Sequence, residues 1–183
     1  MAESILFNQR QRSWIGESLE VAEALAENYF QVDLEDSKRF SYDLQTLIHL
    51  KGPEKTQRAL AQVCKYEYYK RNMPFGGNEF YRICLQDDKI LSTTRTDSSS
   101  LLRPLLLYVI THELIHVIRF SLDSKKFFLS LQEKKAEEKD VHRMTYELLK
   151  SLKDPRIEIL LECYRPWWER SNAFRSMSAL DNI

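Results

Sequence analysis

Two histidines and a glutamate stand inside the most apolar stretch of the chain. The run Leu105-Leu106-Leu107-Tyr108-Val109-Ile110-Thr111-His112-Glu113-Leu114-Ile115-His116-Val117-Ile118 is hydrophobic on nearly every side. Such a run reads as a helix buried through most of its circumference. A carboxylate there is costly unless it is paired, protonated or turned to a polar cleft. His112 and His116 are four residues apart, so both imidazoles project from one side of the helix. Two ring nitrogens so placed can share one zinc ion, and Glu113 can reach a water at that ion. A pair of core histidines bonded to carbonyls or carboxylates would account for the imidazoles. It would leave Glu113 unexplained.

Two histidines do not complete a catalytic zinc site, which uses three protein ligands and a water. Downstream, Val141, Met144, Leu148 and Leu152 mark the buried stripe of another helix. Glu137 and Glu138 flank that stripe on opposite sides, and periodicity does not choose between them. His142 shares a face with Glu138, four residues on. In a stretch this rich in Lys and Glu, the competing reading for all three is a solvated charged face.

His112-Glu113-Leu114-Ile115-His116 resembles the HExxH signature of zincin metallopeptidases. In the gluzincins among them, the third ligand is a glutamate on a later helix. An acidic residue four positions beyond it commonly supports a ligand histidine. Glu138-Lys139-Asp140-Val141-His142 resembles that arrangement, with His142 in the place of the acid. Glu138 to Leu149 also loosely resembles the E-x-x-A-[DN]-x-F-A-x-x-L-L stretch of small ImmA/IrrE-type peptidases. Here Val141 stands for the alanine, His142 for the Asn or Asp, and Met144 for the phenylalanine. The likeness covers His112 to Leu149.

The resemblance implies a zinc cofactor held by His112, His116 and Glu138, with His142 and then Glu137 as alternative third ligands. It implies Glu113 as the catalytic base, with a peptide or protein as substrate. Tyr146, His142 and Arg143 are candidates to stabilise the oxyanion. The alternative class is a catalytically silent zinc-binding regulatory or interaction protein on the same scaffold. Glu113 argues against it, because a structural zinc has no use for a general base. A third reading makes the N-terminal helices an inhibitory segment filling the cleft.

Composition narrows the classes further. The chain has 183 residues, and its 27 Lys plus Arg balance 27 Asp plus Glu. No global field therefore gathers nucleic acid or anionic membrane. Lys65-Tyr66-Glu67-Tyr68-Tyr69-Lys70-Arg71 mixes basic and aromatic residues, but without a binding module it reads as a helix face with buried tyrosines. Cys64, Cys84 and Cys163 are an odd number with no CxxC pair, as in a reducing compartment. The first ten residues lack the pattern of a secretion signal. Leu101–Leu122 is interrupted by Arg103, His112, Glu113, His116 and Arg119, so it reads as protein core rather than a membrane span. The expected location is the cytoplasm.

The elements that must position the site are mostly helices. Ile15, Leu19, Ala22, Ala26 and Tyr29 follow a helical stripe. Phe40, Leu44, Leu47 and Ile48 suggest a second helix over 36–51, ended by Gly52-Pro53, with His49 in its last turn as a structural residue. Ala59, Leu60, Val63 and Cys64 suggest a third over 54–69. Met73 to Asn78 breaks the pattern. Residues 80–85 and 90–94 then read as a β-hairpin across Gln86-Asp87-Asp88-Lys89. By the zincin resemblance, one of its strands is a rail for extended substrate. Asp97 to Ser100 offers N-caps for an active helix over 101–120, Asp123 or Ser124 caps the next, and Asp154-Pro155 starts another that ends near Trp167-Trp168.

The expectation is an α+β, mostly helical fold. A zincin-like active helix packs on a small antiparallel hairpin, beside an N-terminal helical bundle. The division is 1–72, an N-terminal helical region, and 73–183, the metal-binding region, in one compact unit.

Overall fold

Every residue from Pro104 to Ile118 is buried, and the rest of the fold is arranged to bury it. The structure is a computed structural model that describes residues 5–68, 78–94 and 101–166. It is α+β and mostly helical, with a three-stranded sheet. The central helix, α3, spans Leu102–Leu122. By length and composition it could cross a bilayer, but most of it is covered by the other elements. Leu106, Ile110, Leu114, Ile115, Val117 and Ile118 are fully buried. Burial of such side chains stabilises a fold by about 1.5–3 kcal/mol each.

Helix α1, Gln9–Phe30, lies along α3. Asn8 and Gln11 form a reciprocal capping box at its start, and Ile15, Ala22 and Ala26 face inward. The three strands are β1, Tyr42–Gln45, β2, Ala61–Tyr68, and β3, Asn78–Leu85. Helix α2, Asp87–Thr93, follows directly. After α3, Asp123 caps a short 3-10 helix, Ser124–Phe128. Helix α4, Leu131–Lys150, begins with a capping box between Ser130 and Glu133. Helix α5, Pro155–Tyr164, begins as read, with the Asp154 side chain accepting from Arg156 N and proline in the first turn.

β3 is the middle strand, parallel to β1 and antiparallel to β2. The register sets Tyr42 opposite Tyr81, and Ala61 opposite Leu85. Tyr81, Ile83 and Leu85 alternate into the core. Arg82, between them, forks onto Asp43 of β1 with two bonds of 2.8 Å and reaches Glu54 at 3.0 Å. Asp87, at the start of α2, accepts from Phe7 N at 3.1 Å and Leu47 N at 2.8 Å. It ties the chain's beginning and the end of β1 to the sheet. The sheet draws strands from either side of residue 72, and one apolar cluster joins α1, the sheet, α3, α4 and α5.

Several local expectations are corrected. Among the described residues of 1–72 there is one α-helix, α1, with β1 and β2, rather than a helical bundle. Residues 36–51 hold turns and β1, and His49 sits exposed in a turn rather than at a helix end. Residues 54–69 are not a helix: Gly52–Glu54 is a 3-10 turn, and β2 follows. Val63, Tyr66 and Tyr68 are good strand formers, and pairing with β3 overrides the helical spacing around them. The hairpin over 80–94 is also wrong. Its first strand is β3, its second is α2, and the true partner is β2 upstream. Asp87 and Asp88 are not turn residues but the acidic first turn of α2, where carboxylates favour a helix N-terminus. The sheet is mixed rather than antiparallel. The expected caps at Asp97 to Ser100, the tail of the tyrosine-rich segment, Met73 to Gly77, and Trp167-Trp168 lie outside the described residues.

Candidate metal centre

Four turns of α3 and two of α4 supply the site. Tyr108, His112, His116 and Phe120 recur every fourth residue, so they form one stripe along α3. Opposite that stripe α4 presents Glu138 and, one turn on, His142. Glu138 Oε2 lies 3.3 Å from His112 Nε2, and Oε1 lies 3.2 Å from His116 Nε2. The three side chains could hold a metal ion, each offering one ligand atom within 4.8 Å of the others. The fit is chemical as well as spatial. Bonds of about 2.0–2.1 Å to a tetrahedral ion place neighbouring donors roughly 3.3 Å apart. Both histidines are almost wholly buried, whereas the Glu138 side chain is 54% exposed. The cluster therefore opens to solvent on the α4 side.

The electrostatics couple the three side chains to one another. Partial loss of water around its carboxyl would by itself raise the Glu138 pKa, but hydrogen bonds from His112 and His116 and their charges drive it well below the usual carboxylate range. Burial opposes protonation of His116, and Glu138 outweighs it, so the pKa of His116 is raised. Glu113 is buried, and that burial raises its pKa against the opposing pull of His112 and His116, with Glu138 adding to the rise. No hydrogen bond to its carboxyl occurs among the described residues. The charge of Glu113 is also felt at Cys64 on β2.

Glu137 and His142 turn out to do other things. Glu137 points the opposite way from Glu138, onto the Arg119 guanidinium, with Oε2 2.6 Å from Nη2, and onto Lys126 at 3.3 Å. That pairing holds its pKa low in spite of burial. It is a structural ion pair, away from the cluster. His142 stays outside the three-residue group. Its Nδ1 lies 2.8 Å from the Tyr108 hydroxyl, and its ring centroid is 4.4 Å from that of His112. Burial, followed by the nearby His112, depresses its pKa to about 3, so the ring is neutral. Of the other oxyanion candidates, Arg143 pairs with Asp140 at 3.3 Å on the exposed face of α4. Tyr146 packs at the core's edge, under the Lys150 ammonium.

Three aromatic neighbours went unnoticed in the sequence. Tyr108 holds His142, Phe120 stacks on His116 with centroids 5.4 Å apart, and Tyr164 of α5 stacks on Tyr108 at 4.2 Å. The first two were legible as the four-residue continuation of the His112–His116 stripe. Tyr164, on a different helix, carried no such signal. No model of a known protein family matches the chain, and neither does any curated protein or solved structure.

Proposed function

We propose that the protein is a zinc-dependent peptidase of gluzincin type. The observation that carries this reading is the meeting of a carboxylate from α4 with both imidazoles of a His-Glu-x-x-His helix. A set of two histidines and one carboxylate is used for zinc in hydrolases, leaving room for water and substrate. A bound zinc would polarise a scissile carbonyl and acidify a water. His112, His116 and Glu138 hold the ion in this scheme. Glu113 takes the proton from the attacking water and delivers it to the leaving amine. Burial raises its pKa against the pull of His112 and His116, which suits a base that must also release the proton.

The sheet supports the same reading in a corrected form. Neither strand of the expected hairpin can be a substrate rail, because β3 is central and 90–94 is helical. β2 is an edge strand, with β3 on one side, and it packs against α3, the helix that carries Glu113. An extended peptide adding to β2 would lie beside that helix. The test is metal analysis of the purified protein with a peptidase assay. Wild type should carry about one equivalent of zinc and His112→Ala none. Equal zinc in both would remove the site, and zinc with no hydrolysis of any peptide library would leave binding without turnover.

A further inference from the structure

A neutral histidine that binds a metal through one ring nitrogen carries its proton on the other. That N–H usually goes to a carboxylate, a carbonyl or a water, which fixes the ring. Here Nε2 of both His112 and His116 faces Glu138, so the proton belongs on Nδ1. Yet Nδ1 of each ring is buried without a hydrogen-bond partner among the described residues. A buried polar group left so is costly. Among the described residues, neither ring has the partner that normally orients a ligand histidine.

What touches the rings instead is other rings. His142 lies against His112, with the planes tilted by 45°, and His116 meets His112 edge-on at 4.9 Å and 73°. His142 stands one turn beyond Glu138 on α4, where gluzincins place a supporting acid. It makes its close Nδ1 contact with Tyr108 rather than with a ligand nitrogen. Tyr108 is buried, one turn before His112, and braced by the Tyr164 ring. Rotation about the last torsion of a histidine is otherwise soft. The stack Tyr164–Tyr108–His142–His112 restrains it.

We propose that Tyr108 and His142 form a positioning pair that holds the His112 imidazole in ligating orientation by ring packing. The inference rests on the reading that His112, His116 and Glu138 hold a divalent ion, and needs nothing of the peptidase assignment. His142 is then a support and not a ligand.

The test uses the full chain, stripped of metal, titrated with Zn2+ against a chromophoric chelator and with Co2+ by its visible spectrum. Tyr108→Phe keeps the ring on Tyr164 and removes only the hydroxyl. It should weaken zinc binding about 10-fold or more, with altered cobalt bands that report coordination geometry. His142→Ala, which removes the packed ring, should do at least as much. The double variant Tyr108→Phe/His142→Phe restores a ring against His112 and removes both ends of the Tyr108–His142 contact. It should recover most of the lost affinity. Wild-type protein that takes up neither ion overturns the metal centre and the pair with it. Wild-type binding matched in affinity and spectrum by Tyr108→Phe or His142→Ala overturns the pair alone, even if the variant melts earlier.

Discussion

Glu138 faces His116 across the α3–α4 seam at 3.2 Å, while its neighbour Glu137 turns the other way onto Arg119. Two adjacent carboxylates thus have separable duties. Glu138→Ala should leave a folded protein that no longer retains metal through gel filtration. Glu137→Ala should retain metal but lose about 3 kcal/mol in denaturant unfolding, because it strands a half-buried guanidinium. Metal loss in the second variant with a stable fold would reverse the assignment.

Glu113 makes no hydrogen bond among the described residues that would give it a structural task, and its burial raises its pKa. Glu113→Gln should therefore keep the metal and the fold. Peptide hydrolysis should fall by about 10²-fold or more, the usual loss of a general base. A peptidase rate equal to wild type would remove Glu113 from the chemistry.

Removing the metal should be visible in stability. A ligand that binds only the folded state stabilises it by about 2.7 kcal/mol when present at 100 times its Kd. Zinc should raise the Tm of the stripped protein, and chelator should lower that of the loaded one. In His112→Ala the Tm should be indifferent to both. A melting curve unmoved by zinc in the wild type would count against the centre.

The sheet carries its own acid sensitivity. Glu54 is buried and would for that reason resist ionisation, but bonds from Lys51 N, the Tyr66 hydroxyl and Arg82 hold its pKa below the usual value. A depressed carboxylate contributes stability that is present above its unfolded pKa of about 4.3 and lost as pH falls through the folded value. Stability measured by urea unfolding should decline below roughly pH 5, and Glu54→Gln should flatten that limb while lowering the neutral-pH plateau. An unchanged acid limb would show that Glu54 is not a source of it.

The central helix and its chemistry were legible because the information is local. An unbroken apolar run long enough for several turns, with polar residues four apart inside it, has one reading at the helical period. The same holds for α1, where Ile15, Ala22 and Ala26 of the stripe are buried though Tyr29 is exposed, for Asp123 as a cap, and for the Asp154-Pro155 start of α5. Helix over strand was decided elsewhere. Ala59, Leu60, Val63 and Cys64 satisfy a helical spacing, yet β2 exists because β3 lies across from it, with Tyr66 opposite Phe80. Short apolar runs carry both periods, and a partner strand settles the matter from a distance.

What the residues determined alone was that His112, Glu113 and His116 would share a buried helix, with both imidazoles on one side. Tertiary structure chose the rest. The roll of α4 against α3 sends Glu138 to the imidazoles and Glu137 to Arg119, although the two sit at equivalent angles from the apolar stripe. The same packing leaves His142 outside the group that could hold an ion and sets it beside Tyr108. Periodicity says which face of a helix is polar; only the facing helix says which polar group finds a partner there.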